Sequence, residues 1–278
     1  CGAELGPQDI YNADVLNDIL AHTVITRTFE EITGKDIKHI HQVPVRFSEP
    51  EKEVYQKAIS EFHAMRGNYF ASTGNSRKDS MMRLIQQITL LLRISAAPNT
   101  VKEYTGGMPV KIAKVMEMLQ EMPDQIIAIG VRHKKVVDAY SAAIRKLMPE
   151  RPLFVVTGDT TTLAQRRKLR KTLKASGNGI LLCTQQSLPS SVNFEFVNKV
   201  IIPELHYNNS RMSQFYMRFV RYTSREDKDI YFVTYLGSIE SNQMQMVLAK
   251  EKINLFMRGQ EQDLDDIYKT FGVDYNLL

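Results

Sequence analysis

Gln214, Arg218 and Arg221 stand at the spacing Q-x-x-x-R-x-x-R. On a helix these positions are i, i+4 and i+7, so one face would present an amide and two guanidiniums. A guanidinium is a planar, permanently charged fork that binds anionic oxygens bidentately. Such a group, an arginine finger, can stabilise the charge that develops on a transferring phosphoryl group. The same spacing also suits a solvated helical face, because arginine is a good helix former. The elements that would position the pair therefore decide its meaning.

Up to residue 105 the pattern is mainly helical. Apolar positions fall at helical spacing in Val15, Leu16, Ile19 and Leu20, in Val54, Ala58, Ile59 and Phe62, and in Met81, Leu84, Ile85, Ile88, Leu91 and Leu92. Residues 39–47 alternate apolar with polar and predict one short strand within this stretch. Ser48-Glu49-Pro50-Glu51 supplies an N-cap, a proline and first-turn acids, a helix start. Gly74-Asn75-Ser76 predicts a loop, and Thr105-Gly106-Gly107 a boundary between subdomains.

Beyond that boundary helices alternate with short apolar strands. The periodicity predicts helices over 110–122, 134–148, 162–175, 211–222 and 239–257, with strands over 125–131, 153–157, 179–184, 199–202 and 230–236. Strands rich in Ile, Val and Leu between helices of this length imply an α/β fold: a mostly parallel sheet with helices on both faces, preceded by a helical subdomain. The expected organisation is a helical linker or protrusion over 1–105, an α/β lobe over 106–258 and a C-terminal tail over 259–278. No internal repeat or low-complexity segment interrupts it.

In such a sheet ligands bind outside the carboxyl ends of the strands, which selects the loops at 130–133, 157–161, 184–193 and 203–209. Thr157, Gly158, Thr160 and Thr184 stand there, where hydroxyls and backbone N–H groups can meet sugar-phosphate oxygens without reading bases. Arg132 and His133 follow the first of these strands and are candidates of the same kind. Threonine is equally a common strand and turn residue.

Composition bounds the rest. Hydrophobic content of 43% and charged content of 24% are ordinary for a globular protein, and 278 residues suffice for one large or two modest domains. A net charge of +5 and a pI near 9.0 mildly favour a polyanionic partner. Cys1 and Cys183 form no disulfide framework or metal motif, which fits a reducing, intracellular setting. His39 and His41 could share one face of a strand, yet nothing supplies further zinc ligands. No apolar run approaches a membrane span and no leader precedes the first helix, so no membrane association is expected. The start at Cys1-Gly2, without a methionine, suggests a fragment of a longer polypeptide or a processed product. Arg166 to Lys174 places six basic residues in nine, with Leu169 and Leu173 at i, i+4 as the buried side. That run reads as a solvated face or as a backbone-binding surface. The methionines at 116, 118, 122, 244 and 246 fall at helical spacing and suit packing.

The order strand, Thr157-Gly158-Asp159-Thr160-Thr161, basic helix, strand, Cys183-Thr184-Gln185, strand, Q-x-x-x-R-x-x-R resembles the second RecA-like lobe of superfamily 2 helicase-like ATPases, specifically the SWI/SNF class of double-stranded DNA translocases. Arg27-Thr28-Phe29-Glu30-Glu31-Ile32 is similar to the segment that follows the first lobe in that class. Val43 to Ser48 with Tyr55, Leu91-Leu92-Arg93-Ile94 with Pro98, Val110-Lys111-Ile112 with Leu119, and Ile239-Glu240 with Lys250 and Lys252 resemble later segments in the same order. The departures are Ser187-Leu188-Pro189-Ser190-Ser191-Val192-Asn193, which lacks the usual glycines, Met217 before the first arginine, and Thr223-Ser224 in place of Gly-Gln after the second. They suit a divergent member, viral or bacterial, or a lobe whose catalysis has degenerated.

The resemblance implies ATP and Mg²⁺ shared with a missing N-terminal RecA-like lobe, and double-stranded DNA as partner. It implies that Arg221 is the finger, that Arg218 assists at the phosphates or the lobe interface, that Gln214 positions water or the other lobe, and that Gln185 and Asn193 join the backbone contacts. A phosphate-cradling loop needs G-x-x-x-x-G-K-[ST]. The one Gly-Lys pair, Gly34-Lys35, is followed by Asp36 and has Phe29 where the first glycine belongs, and there is no Asp-Glu dipeptide. ATP hydrolysis by this segment alone is not expected. Two other readings share these motifs: a helicase separating DNA or RNA strands, and a non-catalytic scaffold on a degenerate lobe.

Overall fold

The apolar runs beyond residue 125 form strands of one sheet, buried most fully at its centre, and the sheet is parallel throughout. The computed structural model describes residues 37–158, 162–188, 193–206, 209–221, 223–224, 226–241 and 243–244, with isolated positions before 37. Its strands are β1 (Lys38–Val45), β2 (Ile127–Val131), β3 (Leu153–Val156), β4 (Ile180–Thr184), β5 (Lys199–Ile202) and β6 (Lys228–Tyr235). They lie in the order β1-β6-β5-β2-β4-β3. The helices are α1 (Glu49–Ala71), α2 (Gly74–Ala96), α3 (Val110–Glu121), α4 (Lys134–Leu147), α5 (Leu163–Ser176) and α6 (Asn209–Tyr216).

Strand alternation sorts the core into two layers. Ala128, Leu181, Cys183, Val200, Ile202, Ile230 and Phe232 face one way, beneath Leu173 of α5, Met212 and Phe215 of α6, and Phe194 and Phe219. Ile127, Ile129, Val131, Ile180, Leu182, Ile201, Val233 and Tyr235 face the other way, beneath Ile112, Val115, Met116 and Leu119 of α3 and Val136, Val137, Tyr140 and Ile144 of α4. All five residues of β2 are buried, as expected for a central parallel strand. Met116 and Met118 pack in this core.

The strand expected at 39–47 belongs to this sheet rather than to the helical stretch around it. β1 pairs in parallel with β6, Ile40 opposite Ile230 and Val43 opposite Val233. Alternation predicts a strand but says nothing of its partner, because pairing is settled by contacts across the chain.

α1 starts where the capping signal placed it. Glu51 accepts the Ser48 N–H at 2.6 Å, closing the capping box. α2 begins at Gly74, where a loop was expected, so Ser72 and Thr73 alone connect the hairpin. Tyr55, Ala58 and Phe62 of α1 meet Leu91, Leu92 and Ile94 of α2 in a third apolar cluster with Val101 and Ile239.

The helix expected over 211–222 ends at Tyr216. The N–H of Arg218 bonds to the Phe215 carbonyl at 3.2 Å and that of Phe219 to Tyr216 at 3.0 Å, so tight i→i+3 turns replace the helix. Phe215 and Phe219 are both fully buried and stack edge to face at 5.4 Å. Gln214 therefore stands on α6, while Arg218 and Arg221 follow it on non-helical backbone.

Outside the described residues lie the segment 27–32, most of the helical run at 15–20, Thr160, the stretch 189–192, the helix expected beyond 244 with Lys250 and Lys252, and the tail 259–278.

Candidate nucleotide and nucleic-acid interface

The carboxyl ends of β2, β4 and β5 are joined by a buried glutamate that sequence reasoning did not single out. Glu204 sits just after β5 with its side chain 2% exposed. It accepts the N–H of Arg132 at 2.6 Å and that of His133 at 3.1 Å, and pairs with His133 Nδ1. His133 is the N-cap of α4, so a carboxylate lies where that helix directs its free N–H groups. The rule that selected the loop at 203–209 could have found Glu204, its first acid.

Gln185 completes the joint. Its Nε2 donates to the Gly130 carbonyl at 3.2 Å and the Glu204 carbonyl at 2.7 Å, tying β4 to β2 and β5. Gln185 and His133 thus spend polar atoms inside the protein, whereas Nη1 of Arg132 is buried without a hydrogen-bond partner. His206 lies near this cluster, held neutral-leaning: burial first, then the charges of Arg132 and Arg211, depress its basicity despite Glu204.

Thr157 and Gly158 leave β3 beside the end of β4. Thr157 is buried and Gly158 exposed, and a Cβ on Gly158 would lie 3.7 Å from Ser187 Oγ. Ser187 in turn hydrogen-bonds Thr184. The structure so brings Gly158, Thr184 and Ser187 together at one rim. Asn193 is exposed, and its backbone carbonyl accepts from Arg170 Nε at 2.5 Å.

Arg218 lies beside β4. The Phe194 N–H donates to the Arg218 carbonyl at 3.4 Å, and the guanidinium lies near Cys183 of β4, a thiol that burial keeps protonated. Burial, and then the neighbouring Arg221 charge, push the Arg218 guanidinium below its usual basicity. Nε and Nη1 of Arg218 and Nε of Arg221 are buried without hydrogen-bond partners. Two cations side by side with unmet donors are costly to maintain unless an anion meets them. Gln214 is exposed on α6.

α6 is placed by an aromatic–glycine fit. A Cβ on Gly130 would lie 2.2 Å from Cε1 of Phe215, so only glycine on β2 admits that ring.

The basic helix divides its cations. Leu173 is buried and Leu169 packs on the core. Arg170 pairs with Glu195 at 2.7 Å and covers the Phe196 ring at 5.5 Å, while Arg167, Lys168 and Lys171 are exposed. Among the described residues no helix is long and apolar enough to cross a membrane.

No protein-family model matches the chain, and no curated protein does. Solved structures do match. The chain is similar to the C-terminal part of the Fun30 ATPase domain, with 15% identity and a TM-score of 0.54 over 77% of this chain and 89% of that one. It is similar to the Sulfolobus solfataricus SWI2/SNF2 ATPase C-terminal domain, with 16% identity and a TM-score of 0.60 over 85% and 99%. Against the Sulfolobus solfataricus SWI2/SNF2 ATPase core in complex with double-stranded DNA the values are 17% and 0.63. There 94% of this chain is covered, and it spans 56% of the core. With its parallel sheet, helices on both faces and helical hairpin, the chain has the RecA-like fold of the C-terminal lobe of SWI2/SNF2 ATPases.

Proposed function

We propose that the chain is the second motor lobe of an ATP-driven translocase on duplex DNA, one that supplies arginines to a nucleotide held by a first lobe. The observation that carries this reading is the Arg218–Arg221 pair, two adjacent cations whose buried nitrogens have unmet donors. Arg221 is the finger that offsets charge on the transferring phosphoryl group, Arg218 assists at the phosphates, and Gln214 orients water or the facing lobe.

Among the described residues no group of three or more His, Cys, Asp or Glu could hold a metal. By the resemblance Mg²⁺ would arrive with the nucleotide on the first lobe, and without the G-x-x-x-x-G-K-[ST] loop this chain alone is not expected to hydrolyse ATP. Gly158 and Thr184, with Arg132 and Thr157, line the rim proposed for the sugar-phosphate backbone, and Asn193 and Thr160 are assigned to it by the resemblance alone. His133 and Gln185 serve that rim by holding it in shape. The DNA-bound state of the Sulfolobus core supports duplex DNA as the track.

The test is ATP hydrolysis by the full-length parent, with and without duplex DNA, beside an Arg221→Ala variant. DNA-stimulated turnover that falls by about a thousandfold or more in the variant supports the finger role. Unchanged turnover removes Arg221 from the mechanism, stimulation by RNA or forked DNA alone favours a strand-separating helicase, and no turnover in the parent favours a scaffold.

A further inference from the structure

α5 gathers six cations, Arg166, Arg167, Lys168, Arg170, Lys171 and Lys174, without a single acid. Of the 36 Lys and Arg in the chain, the thirty outside α5 face 31 Asp and Glu, so the rest of the chain is net −1. The whole positive excess of +5 therefore resides on one helix. Local physics opposes that arrangement. Arg167 with Lys171, and Arg170 with Lys174, are like charges at i, i+4, which repel, and the first turn holds no acid to offset the helix dipole. A face kept only for solubility interleaves the two signs and gains such pairs instead of losing them.

Part of the charge is held internally. Arg170 pairs with Glu195 at 2.7 Å, and the Arg170 guanidinium and Lys174 ammonium stand over the Phe196 ring at 5.5 and 5.8 Å. Leu169 and Leu173 turn to the core. Arg167, Lys168 and Lys171 are exposed and make no ion pair among the described residues. α5 follows β3, the outermost strand of the sheet, and its cap Thr162 stands four residues past Gly158. These cations thus flank the lobe beside the rim of Gly158 and Thr184.

The chemistry of the face selects its partner. Among the described residues of α5 no large apolar side chain is exposed. Protein–protein interfaces centre on apolar and aromatic groups and are depleted in lysine. No ring is offered for stacking unpaired bases either, since the nearby Phe196 is covered by Arg170 and Lys174. Cations without apolar or stacking companions suit the phosphates of a duplex, where affinity comes from displaced counterions.

We infer that the outer face of α5 is a second contact for the duplex backbone, in which Arg167, Lys168 and Lys171 extend the rim along the flank of the lobe. The inference rests on the reading of that rim as the seat of the DNA. The contact is indifferent to base sequence and adds grip without touching the nucleotide.

The test titrates the full-length parent and its Arg167→Gln/Lys168→Gln/Lys171→Gln variant with a fluorescent duplex from about 50 to 200 mM salt. Each lost phosphate contact lowers the slope of log affinity against log salt by about 0.9, so the variant's slope should be shallower by about two to three, alike for duplexes of different sequence. Its melting temperature and its kcat for ATP at saturating duplex should match the parent's, while the duplex concentration for half-maximal stimulation rises. Arg167→Lys, which keeps the charge, should keep the parent slope. An unchanged slope and half-saturation, in a parent whose turnover duplex DNA stimulates, overturn the α5 contact and leave the rim reading standing. A loss seen only with single strands, or a fall in kcat at saturation, also overturns it. A parent that binds no duplex at any salt overturns both.

Discussion

Nζ of Lys111 lies 2.6 Å from Oε2 of Glu240, and both side chains are sealed from solvent. Lys111 opens α3 and also donates to the Pro203 carbonyl at 3.1 Å, while Glu240 follows β6 and accepts the Tyr235 N–H at 2.9 Å. The Tyr235 hydroxyl donates to Glu51 of α1 at 2.7 Å, and Glu51 also accepts the Val110 N–H at 2.7 Å. One polar chain thus runs from the helical hairpin through the lobe.

Removing one partner of this pair should cost far more than removing both. Glu240→Ala strands a buried ammonium and should destabilise by about 3–5 kcal/mol, whereas Lys111→Met with Glu240→Leu should recover most of that loss. Denaturant midpoints at constant slope check both values. Equal losses in the single and double variants would show that the pair is not coupled.

The acid limb of stability should pass through Asp229. Burial raises its carboxyl, but hydrogen bonds from Lys199 and His41 outweigh burial and hold it below the usual carboxylate value, while the same Asp229 bond raises Lys199 above its usual value. A depressed carboxylate contributes stability above its unfolded pKa that is lost as pH falls through the folded one, so the loss belongs below about pH 3.9. Asp229→Asn should flatten that limb and cost about 1.5–3 kcal/mol at neutral pH, because β1, β6 and β5 all contribute to the cluster. Melting temperatures from pH 2 to 7 would show it.

Gly130→Ala should act through Phe215. The added methyl cannot coexist with the ring at 2.2 Å, so α6 must shift, at about 1–3 kcal/mol. Phe215→Leu in the same chain should relieve part of the strain. In the parent enzyme Gly130→Ala should also lower ATP turnover, since Arg218 and Arg221 hang from the end of α6; thermal melts and turnover read the two effects separately.

Arg218→Met should separate stability from activity. Its buried Nε and Nη1 have no hydrogen-bond partners, and burial with Arg221 alongside already disfavours its charge. The isolated chain should melt at the same temperature as the parent sequence or higher, while the parent enzyme loses turnover. A clear drop in melting temperature would mean that the guanidinium is structural.

Much of the fold was legible because its signals are local. The expected helix over 110–122 is observed as Val110–Glu121, the strand over 199–202 as Lys199–Ile202, and the α1 start at its capping box. Thr162, expected as the first residue of the helix over 162–175, is instead the cap of α5, accepting from Gln165 N at 3.3 Å. Of the expected site residues, Gly158 and Thr184 meet at one rim with Ser187, whereas His133 Nδ1 and Gln185 Nε2 are turned inward toward Glu204, a residue whose importance no short-range pattern displays.

By itself the sequence determined the alternation of strands and helices, the capped starts and the order of motifs, because periodicity and capping depend on residues a few positions apart. Tertiary structure decided that β1 joins β6, that α6 stops at Tyr216, and that Lys111 meets Glu240 across 129 positions. Those outcomes rest on burial and charge pairing between distant segments, which no local pattern specifies.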